Sequence, residues 1–207
     1  MAAISCRLLV KMRGKINDKE VETMEILETI RTRRSIRYYE SQPVEEDKIN
    51  TVLEAARWAP SWSNTQCWRF IVVKDEATKS QLAKTLTQWN AARSASSVTQ
   101  APVVLVACAE LGKSGYKDGV LCTDRDDWHV FDVALAIQNL VLGAHSLGLG
   151  TLHIGAFDAG DAARILKVPP GVDVIELIPL GYPKKVGKPP PRKELSEIVF
   201  YESYGQK

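Results

Sequence analysis

Four arginines fall within seven residues of the segment RTRRSIRYYE, residues 31–40. A guanidinium donates paired hydrogen bonds to phosphate oxygens, so an arginine cluster can hold an anion. Arginine runs are more often a solvated surface, and some contact nucleic acid. The net charge of the chain is only +2, whereas general nucleic-acid binding needs an extended basic face, so no nucleic-acid partner is expected. The sequence favours a local phosphate site made by Arg33, Arg34, Ser35 and Arg37.

Two further polar segments stand out from an apolar background. The segment APSWSNTQCW, residues 59–68, places hydroxyl and amide groups between two indoles, in a loop before a predicted strand. Such a loop suits the rim of a flat heteroaromatic ligand. Arg192 follows three prolines, which deliver it on an extended arm. Each segment alone has an ordinary structural explanation, and it is their joint occurrence that indicates a ligand site.

Motifs for other kinds of site are incomplete. The nearest dinucleotide-binding match, GLGTLHIG, has His153 at the third glycine position and follows a helix rather than a strand. GYPKKVGKP resembles a phosphate-binding loop, but its glycines are one residue too far apart and Pro189 replaces the required Ser or Thr. The histidines and cysteines lack metal-ligand spacing, and no signal peptide or membrane span is indicated. We therefore expect a cytoplasmic protein without a metal site.

Helical patterns of apolar residues recur along the first half of the chain. One begins with a capping box at Asn17 and runs to the arginines. A second begins near Pro43, has acidic residues in its first turn, and stops at Pro60. A third extends from Glu76 to roughly Trp89. These helices would position the arginine cluster and the polar loop.

Strands are predicted at three apolar segments, residues 68–75, 101–110 and 172–183, and a short strand followed by a loop is predicted in GTLHIGAFD, residues 150–158. Residues 130–147 predict a long helix that is apolar nearly all round and is followed by glycines. Such a helix is buried in a large core or at a subunit interface, and an interface is the more economical explanation in a chain of this length. Asp158 is expected to cap the next helix. The alternation of elements indicates the α/β or α+β class.

Four segments, in this order and spacing, resemble the FMN-dependent nitroreductase superfamily: RRSIR, APSWSNTQCWRFIVV, FDVALAIQNLVLGAHSLGLGTLHIGAFD, and LIPLGYP followed by PPPRKELSEIV. The resemblance implies an α+β fold of three layers, with a central, mostly antiparallel sheet flanked by helices. It implies an intertwined homodimer whose core contains the helix near 130–147. It also implies one FMN-binding domain over residues 21–207, preceded by an extension over residues 1–20 that is an arm or disordered.

By this resemblance, two FMN molecules lie at the dimer interface, and three sets of residues contact them. The residues implied to hold the phosphate and ribityl chain are Arg33, Arg34, Ser35, Arg37 and Arg192. Those implied to reach the isoalloxazine of the partner's FMN, with Gln66 either ordering the loop or touching the ligand, are Pro60, Ser61, Trp62, Asn64 and Gln66. The backbone implied to face the reactive edge of the ring is that of Ile154, Gly155 and Ala156.

The implied activity is that of a reductase with alternating half-reactions, in which NADH or NADPH reduces FMN and a small-molecule acceptor takes the electrons. Nitroaromatics, quinones and flavins are the implied acceptors, and Trp128, His129 and Phe131 are candidates to cover them. No catalytic side chain is expected, because the flavin carries the chemistry. The alternatives are a specialised member, such as a reductive dehalogenase, and a flavin-binding carrier or sensor without turnover.

The sequence departs from the family pattern at three positions. Cys67 stands where proline is frequent, and Ala156 replaces a frequent glycine, which matters only if that position needs a positive φ. Pro190 stands where a basic residue is often found two positions before Arg192, so Lys188 and Lys193 are the candidates to replace its charge.

Overall fold

A four-stranded antiparallel sheet forms the centre of the computed structural model, which describes residues 26–86 and 91–207. The helices are α1 Ile26–Thr32, α2 Glu46–Arg57, α3 Glu76–Lys84, α4 Ala91–Gln100, α5 His129–Ser146, α6 Ala159–Leu166 and α7 Leu195–Ile198. The strands are β1 Trp68–Val73, β2 Val103–Glu110, β3 Tyr116–Lys117, β4 Val120–Leu121, β5 Gly150–Thr151 and β6 Val172–Gly181. The main sheet has the order β1-β2-β6-β5, and β3 and β4 form a separate hairpin.

Strand β2 lies between two helical layers, which is why its sequence is continuously apolar. Its side chains alternate between the two faces of the sheet. Leu105 packs in one core with α2 and α5, and Val104 and Val106 pack in a second core with α3, α4 and α6. The predicted three-layer α+β fold with a mostly antiparallel sheet is confirmed.

Helix α5 is buried on the side that faces α2 and the sheet. Its buried stripe contains Val133, Ile137 and Leu140, and Gly143 lets it approach α2 so closely that an added Cβ would lie 3.1 Å from Ala55 Cβ. On its other side Phe131 is 53% exposed in the single chain. The prediction of a buried core helix is therefore confirmed for one face, and its burial in a subunit interface stays a prediction. No helix in the described part of the chain is long and apolar enough to span a membrane.

The helix boundaries differ from the sequence predictions at several points. The third helix ends at Lys84 instead of near Trp89, and α4 was not predicted. The sequence of α4, AARSASSVTQ, is rich in small polar residues, yet Ser97 and Val98 are fully buried because tertiary packing covers them. The second helix begins at Glu46, three residues after the proline expected at its start. The capping box at Asn17 and the 1–20 extension lie outside the described residues.

Asp158 caps α6 as predicted, because its side chain accepts a hydrogen bond of 2.8 Å from the backbone N–H of Asp161. We expect Asp158→Ala to lower the free energy of unfolding by about 0.5–2 kcal/mol, since a free N–H at the helix start loses its partner. Urea denaturation of the variant beside Asp158→Asn, which keeps a capping oxygen, measures this loss. Equal stability of the alanine and asparagine variants would contradict the capping role.

Candidate functional site

Five of the predicted site residues line one cavity. The four residues of the arginine cluster follow α1, and Arg192 approaches them from the C-terminal arm. The cavity has a volume of about 310 Å³ and is lined by Arg33, Arg34, Ser35, Arg37, Gly187, Lys188, Pro190 and Arg192. The chain thus brings together two segments that are more than 150 residues apart in the sequence. Lys188 borders the cavity and Lys193 does not, so Lys188 is the better placed of the two to replace the charge missing at Pro190.

Backbone hydrogen bonds hold the arginine segment against the sheet. Ser35 forms a parallel bridge with Thr151 of β5, and the N–H of Ile36 donates to the Thr151 carbonyl at 2.8 Å. Gly150 has no side chain, and this leaves room for Ile36, whose Cβ would lie only 2.8 Å from a Cβ at position 150. Ser35 and Arg37 therefore flank a residue that is fixed by β5.

The base of the C-terminal arm is tied to the residues that follow the cluster. The N–H of Lys184 donates to the Tyr38 carbonyl at 2.9 Å, and Tyr39 forms an antiparallel bridge with Pro183. The hydroxyl of Tyr39 donates to the Ile36 carbonyl at 2.8 Å. These contacts fix the point from which the arm returns Lys188 and Arg192 to the cavity.

Within residues 26–86 and 91–207, no carboxylate forms an ion pair with the guanidinium groups at the cavity. Arg33 Nη1 is buried and has no hydrogen-bond partner among the described residues. Arg34 Nη1 donates to the carbonyls of Arg31 and Arg33 at 2.6 and 2.7 Å, and Arg192 Nη1 donates to two proline carbonyls. Burial lowers the pKa of Arg33, and the positive charges of Arg34 and Arg192 lower it further. A bound phosphate would supply the missing acceptor and relieve this repulsion, so the donor set fits the phosphate of FMN.

The polar loop has an unusual backbone conformation. After Pro60 it forms a short 3₁₀ helix, Trp62–Asn64, and the φ angles of Ser63, Asn64 and Gln66 are 46°, 56° and 47°. Left-handed backbone is uncommon for residues other than glycine, and asparagine tolerates it better than most. Ser61 Oγ accepts from the Gln66 N–H at 2.9 Å, and Gln66 Nε2 donates to Asn64 Oδ1 at 3.2 Å. Gln66 was expected either to order the loop or to touch the ligand. These two hydrogen bonds within the chain support the first role.

Asp132 is a residue of this site that the sequence interpretation missed. It lies in the first turn of α5 and is 1% exposed. Its carboxylate accepts from the backbone N–H of Trp62 at 3.0 and 3.1 Å and from Thr65 Oγ1 at 3.5 Å. Cys67 Sγ lies 3.9 Å away. The sequence did contain one signal for this role, a single acidic residue within a largely apolar helix. A carboxylate that is buried there requires hydrogen-bond donors from another segment.

Within the segment 154–156, the backbone of Ile154 is already paired with the sheet. The N–H and carbonyl of Ile154 are both hydrogen-bonded to Leu177, at 3.1 and 3.0 Å, so the Ile154 N–H is not free to donate to a ligand. Backbone donors to a ligand would come from Gly155 and Ala156, which are exposed. The φ of Ala156 is not positive, so alanine fits there without strain. Neither this segment nor the 60–67 loop lines the arginine cavity of the single chain.

The residues expected to cover a substrate lie at the start of α5. The rings of Trp128 and Phe131 meet edge to face, with centroids 5.1 Å apart and planes at 77°. Trp128 Nε1 donates to Thr123 Oγ1 at 2.9 Å, and His129 Nδ1 lies 3.0 Å from Asp127 Oδ1. Phe131 is half exposed, so it does not fill the core. Phe131 is therefore open to a ligand or to a second protein chain, whereas Trp128 is half-buried and the His129 side chain is only 15% exposed.

Comparisons with known proteins identify the family of this chain. The nitroreductase family profile matches residues 30–182. An NADH dehydrogenase of Thermus thermophilus is 32% identical over 194 residues, which span 82% of this chain and 92% of the relative. An FMN reductase (NAD(P)H) of Bacillus subtilis is 26% identical over 197 residues, 87% of this chain and 74% of the relative. A crystal structure of a nitroreductase family protein from Clostridium novyi NT superposes with a TM-score of 0.69 at 33% identity, covering 88% of this chain and 96% of that one. The chain therefore belongs to the nitroreductase family of oxidoreductases.

Proposed function

We propose that the protein is an FMN-dependent NAD(P)H oxidoreductase that works by alternating half-reactions on nitroaromatic, quinone or flavin acceptors. The observation that carries the proposal is the arginine-lined cavity, in which the buried Arg33 Nη1 lacks an acceptor. The similarity to an NADH dehydrogenase and to an FMN reductase supports the choice of flavin and nicotinamide.

The cavity residues recognise the phosphate end of the cofactor. A phosphate monoester has three terminal oxygens and a charge close to −2 at neutral pH, which matches several guanidinium donors at once. Arg33, Arg37 and Arg192 would donate to these oxygens, while Lys188 would add a further positive charge. Arg34 already donates to two carbonyls, so its main contribution would be electrostatic.

The remaining site residues would position the ring system. FMN, when bound, supplies the redox chemistry by taking a hydride from NADH or NADPH and passing electrons to an acceptor. The loop of Ser61, Trp62 and Asn64 would contact the ring, and the exposed backbone of Gly155 and Ala156 would donate to its polar edge. An N–H donor held at that edge stabilises negative charge on a heteroaromatic ring without a proton transfer.

A homodimer would complete the site. The polar loop lies outside the arginine cavity of its own chain, so a second copy is the proposed source of the loop at each cavity. Apolar side chains that this copy would cover are exposed at the start of α5 and along the C-terminal arm: Val130, Phe131, Leu195, Ile198 and Tyr201. Large exposed apolar side chains of this kind mark association surfaces when they are contiguous.

We predict that removal of the Asn64 side chain alters flavin binding without unfolding the protein. Asn64→Gly keeps the positive φ of 56° accessible while it removes the amide. The expected change in the FMN dissociation constant or in the rate of reduction by NADH is about two- to tenfold, the size of one lost neutral hydrogen bond. Asn50→Ala, an exposed asparagine of α2, is the control and should leave both quantities unchanged. Identical values in Asn64→Gly and wild type would show that the loop does not face the cofactor.

Steady-state kinetics test the proposed reaction directly. Initial rates are measured with FMN-loaded protein while NADH or NADPH and a quinone or nitroaromatic are varied together. Alternating half-reactions predict parallel lines in double-reciprocal plots. Intersecting lines would contradict alternating half-reactions, and no turnover despite bound FMN would favour a carrier or sensor. A dehalogenase would instead act on a halogenated aromatic compound, and here only 18 residues, 111–128, with the short β3–β4 hairpin separate β2 from α5.

A further inference from the structure

We infer that Asp132 is a positioning residue for the cofactor: its buried carboxylate fixes the 60–67 loop in the conformation that contacts the flavin ring. The inference rests on the proposed function for the identity of the ligand. The anchoring contact itself is a separate observation, and it can be tested without flavin.

The geometry of the contact is that of an anchor. The two oxygens of Asp132 lie 3.0 and 3.1 Å from the N–H of Trp62, and Thr65 Oγ1 lies 3.5 Å from Oδ2. The donors at Trp62 and Thr65 belong to the two ends of the 3₁₀ turn. One carboxylate therefore holds both ends of the turn, and Ser63 and Asn64 within the turn are exposed.

The electrostatics suit a fixed anion at this position. Asp132 is 1% exposed and forms no ion pair with the described lysines and arginines. A buried carboxylate without a cation needs several donors and a favourable dipole. The N–H of Trp62, the hydroxyl of Thr65 and the N-terminal end of the 18-residue α5 supply both. Burial and the nearby Asp132 charge raise the pKa of Cys67 to about 11, so that thiol stays neutral beside the carboxylate.

The loop needs an anchor because its backbone is strained. Three residues, Ser63, Asn64 and Gln66, have positive φ angles, and each costs free energy unless the surroundings impose the conformation. Other hydrogen bonds of the loop are made within it, from the Gln66 N–H to Ser61 Oγ and from Gln66 Nε2 to Asn64 Oδ1, or join its last residue to β2, from the Glu110 N–H to the Cys67 carbonyl. Asp132 is thus the contact that connects the strained turn to the rigid core helix, and its loss would release the turn.

The test uses the variant Asp132→Asn, which has the same shape but replaces one acceptor oxygen with a donor group. Hydrogen–deuterium exchange of the flavin-free protein should show at least fivefold faster exchange at residues 61–67 than in wild type, because the N–H of Trp62 loses part of its protection. Ile137→Val, five residues further along α5 and also buried, is the matched control for a mild loss of core stability. It should leave exchange in the loop unchanged.

Flavin titrations complete the test. Asp132→Asn should weaken binding of FMN and of riboflavin by the same factor, about five- to twentyfold, and should shift the visible bands of the bound flavin. A phosphate-site defect would instead weaken FMN alone. Unchanged exchange at 61–67 would overturn the anchoring role. Faster exchange with unchanged flavin affinity and spectrum would overturn the positioning role. The role would also be overturned if Ile137→Val changed loop exchange and flavin binding as much as Asp132→Asn does. If the wild type bound no flavin, both the proposed function and the positioning role would be refuted. The exchange data would still show whether Asp132 anchors the loop.

Discussion

The double variant Arg33→Ala/Arg37→Ala is expected to bind FMN at least about 100-fold more weakly than wild type. Each guanidinium would make a charge-assisted hydrogen bond to the phosphate, worth about 1.5–3 kcal/mol, and about 1.4 kcal/mol corresponds to a tenfold change in affinity. The same substitutions should not lower the stability of the flavin-free protein. Arg33 is partly buried without an acceptor and is repelled by Arg34 and Arg192, so its removal relieves an unfavourable arrangement. Such an exchange of stability for binding is common at functional sites.

Isothermal titration with FMN and with riboflavin measures this effect. Riboflavin lacks the phosphate, so its affinity should be nearly equal in the variant and in wild type. Arg57→Ala/Arg164→Ala removes the same charge from exposed positions on α2 and α6 and is the control for long-range electrostatics. Unchanged FMN affinity in Arg33→Ala/Arg37→Ala would refute the phosphate assignment. An equal loss of riboflavin affinity would show that the double substitution disturbs the fold and not the phosphate contacts alone.

Gly150→Ala is expected to lower the free energy of unfolding by about 1–3 kcal/mol and to weaken FMN binding at the same time. A Cβ at this position would overlap the Ile36 side chain, with Ile36 Cβ only 2.8 Å away, and Ile36 is 4% exposed. Relief of the overlap would require β5 or the segment 35–37 to shift. Because Ser35 and Arg37 flank Ile36, this shift would displace two residues of the cavity.

Chemical denaturation and FMN titration of the same preparation measure both consequences of Gly150→Ala. Gly160→Ala in α6 is the matched control, since its Cβ would only reach ordinary contact, 3.4 Å from Asp158 Oδ1, and alanine favours helix. Gly160→Ala should be at least as stable as wild type. If Gly150→Ala were equally stable, the close packing of β5 against the arginine segment would be contradicted. A loss of stability with unchanged FMN affinity would show that the packing of Ile36 does not position the cavity residues.

The parts of the structure that sequence patterns predict well are those with a strong local cause. Strand β2 was predicted from its apolar run because two helical layers cover it, and Asp158 was predicted as a cap because a helix start needs an acceptor. Helix α4 was missed because its small polar residues acquire their burial only from tertiary packing. The boundary at Lys84 was missed for a related reason, since the apolar pattern continues past the point where the chain leaves the helix.

The site shows the same division. Arginines 33, 34 and 37 are close in sequence, and Arg192 was singled out by the three prolines before it. The resemblance to a known family implied that Arg192 joins the cluster, and the fold places it at the same cavity. Asp132 could not be assigned a role from its own surroundings, because its partners Trp62 and Thr65 lie about 70 residues earlier. The pairing of the Ile154 N–H with Leu177 was not predicted either, because it depends on the register between the 154 segment and β6. Contacts of this kind arise only when distant segments meet.

The absorbance spectrum of the protein after incubation with FMN and removal of free flavin shows whether the chain is a flavin-dependent reductase. We predict that a flavin band is retained, and that NADH or NADPH bleaches it when added without oxygen. A retained band that neither nucleotide bleaches would contradict the proposed reductase while leaving the cofactor site intact. No retained flavin would contradict the account as a whole, and the arginine cavity would then require a different anion.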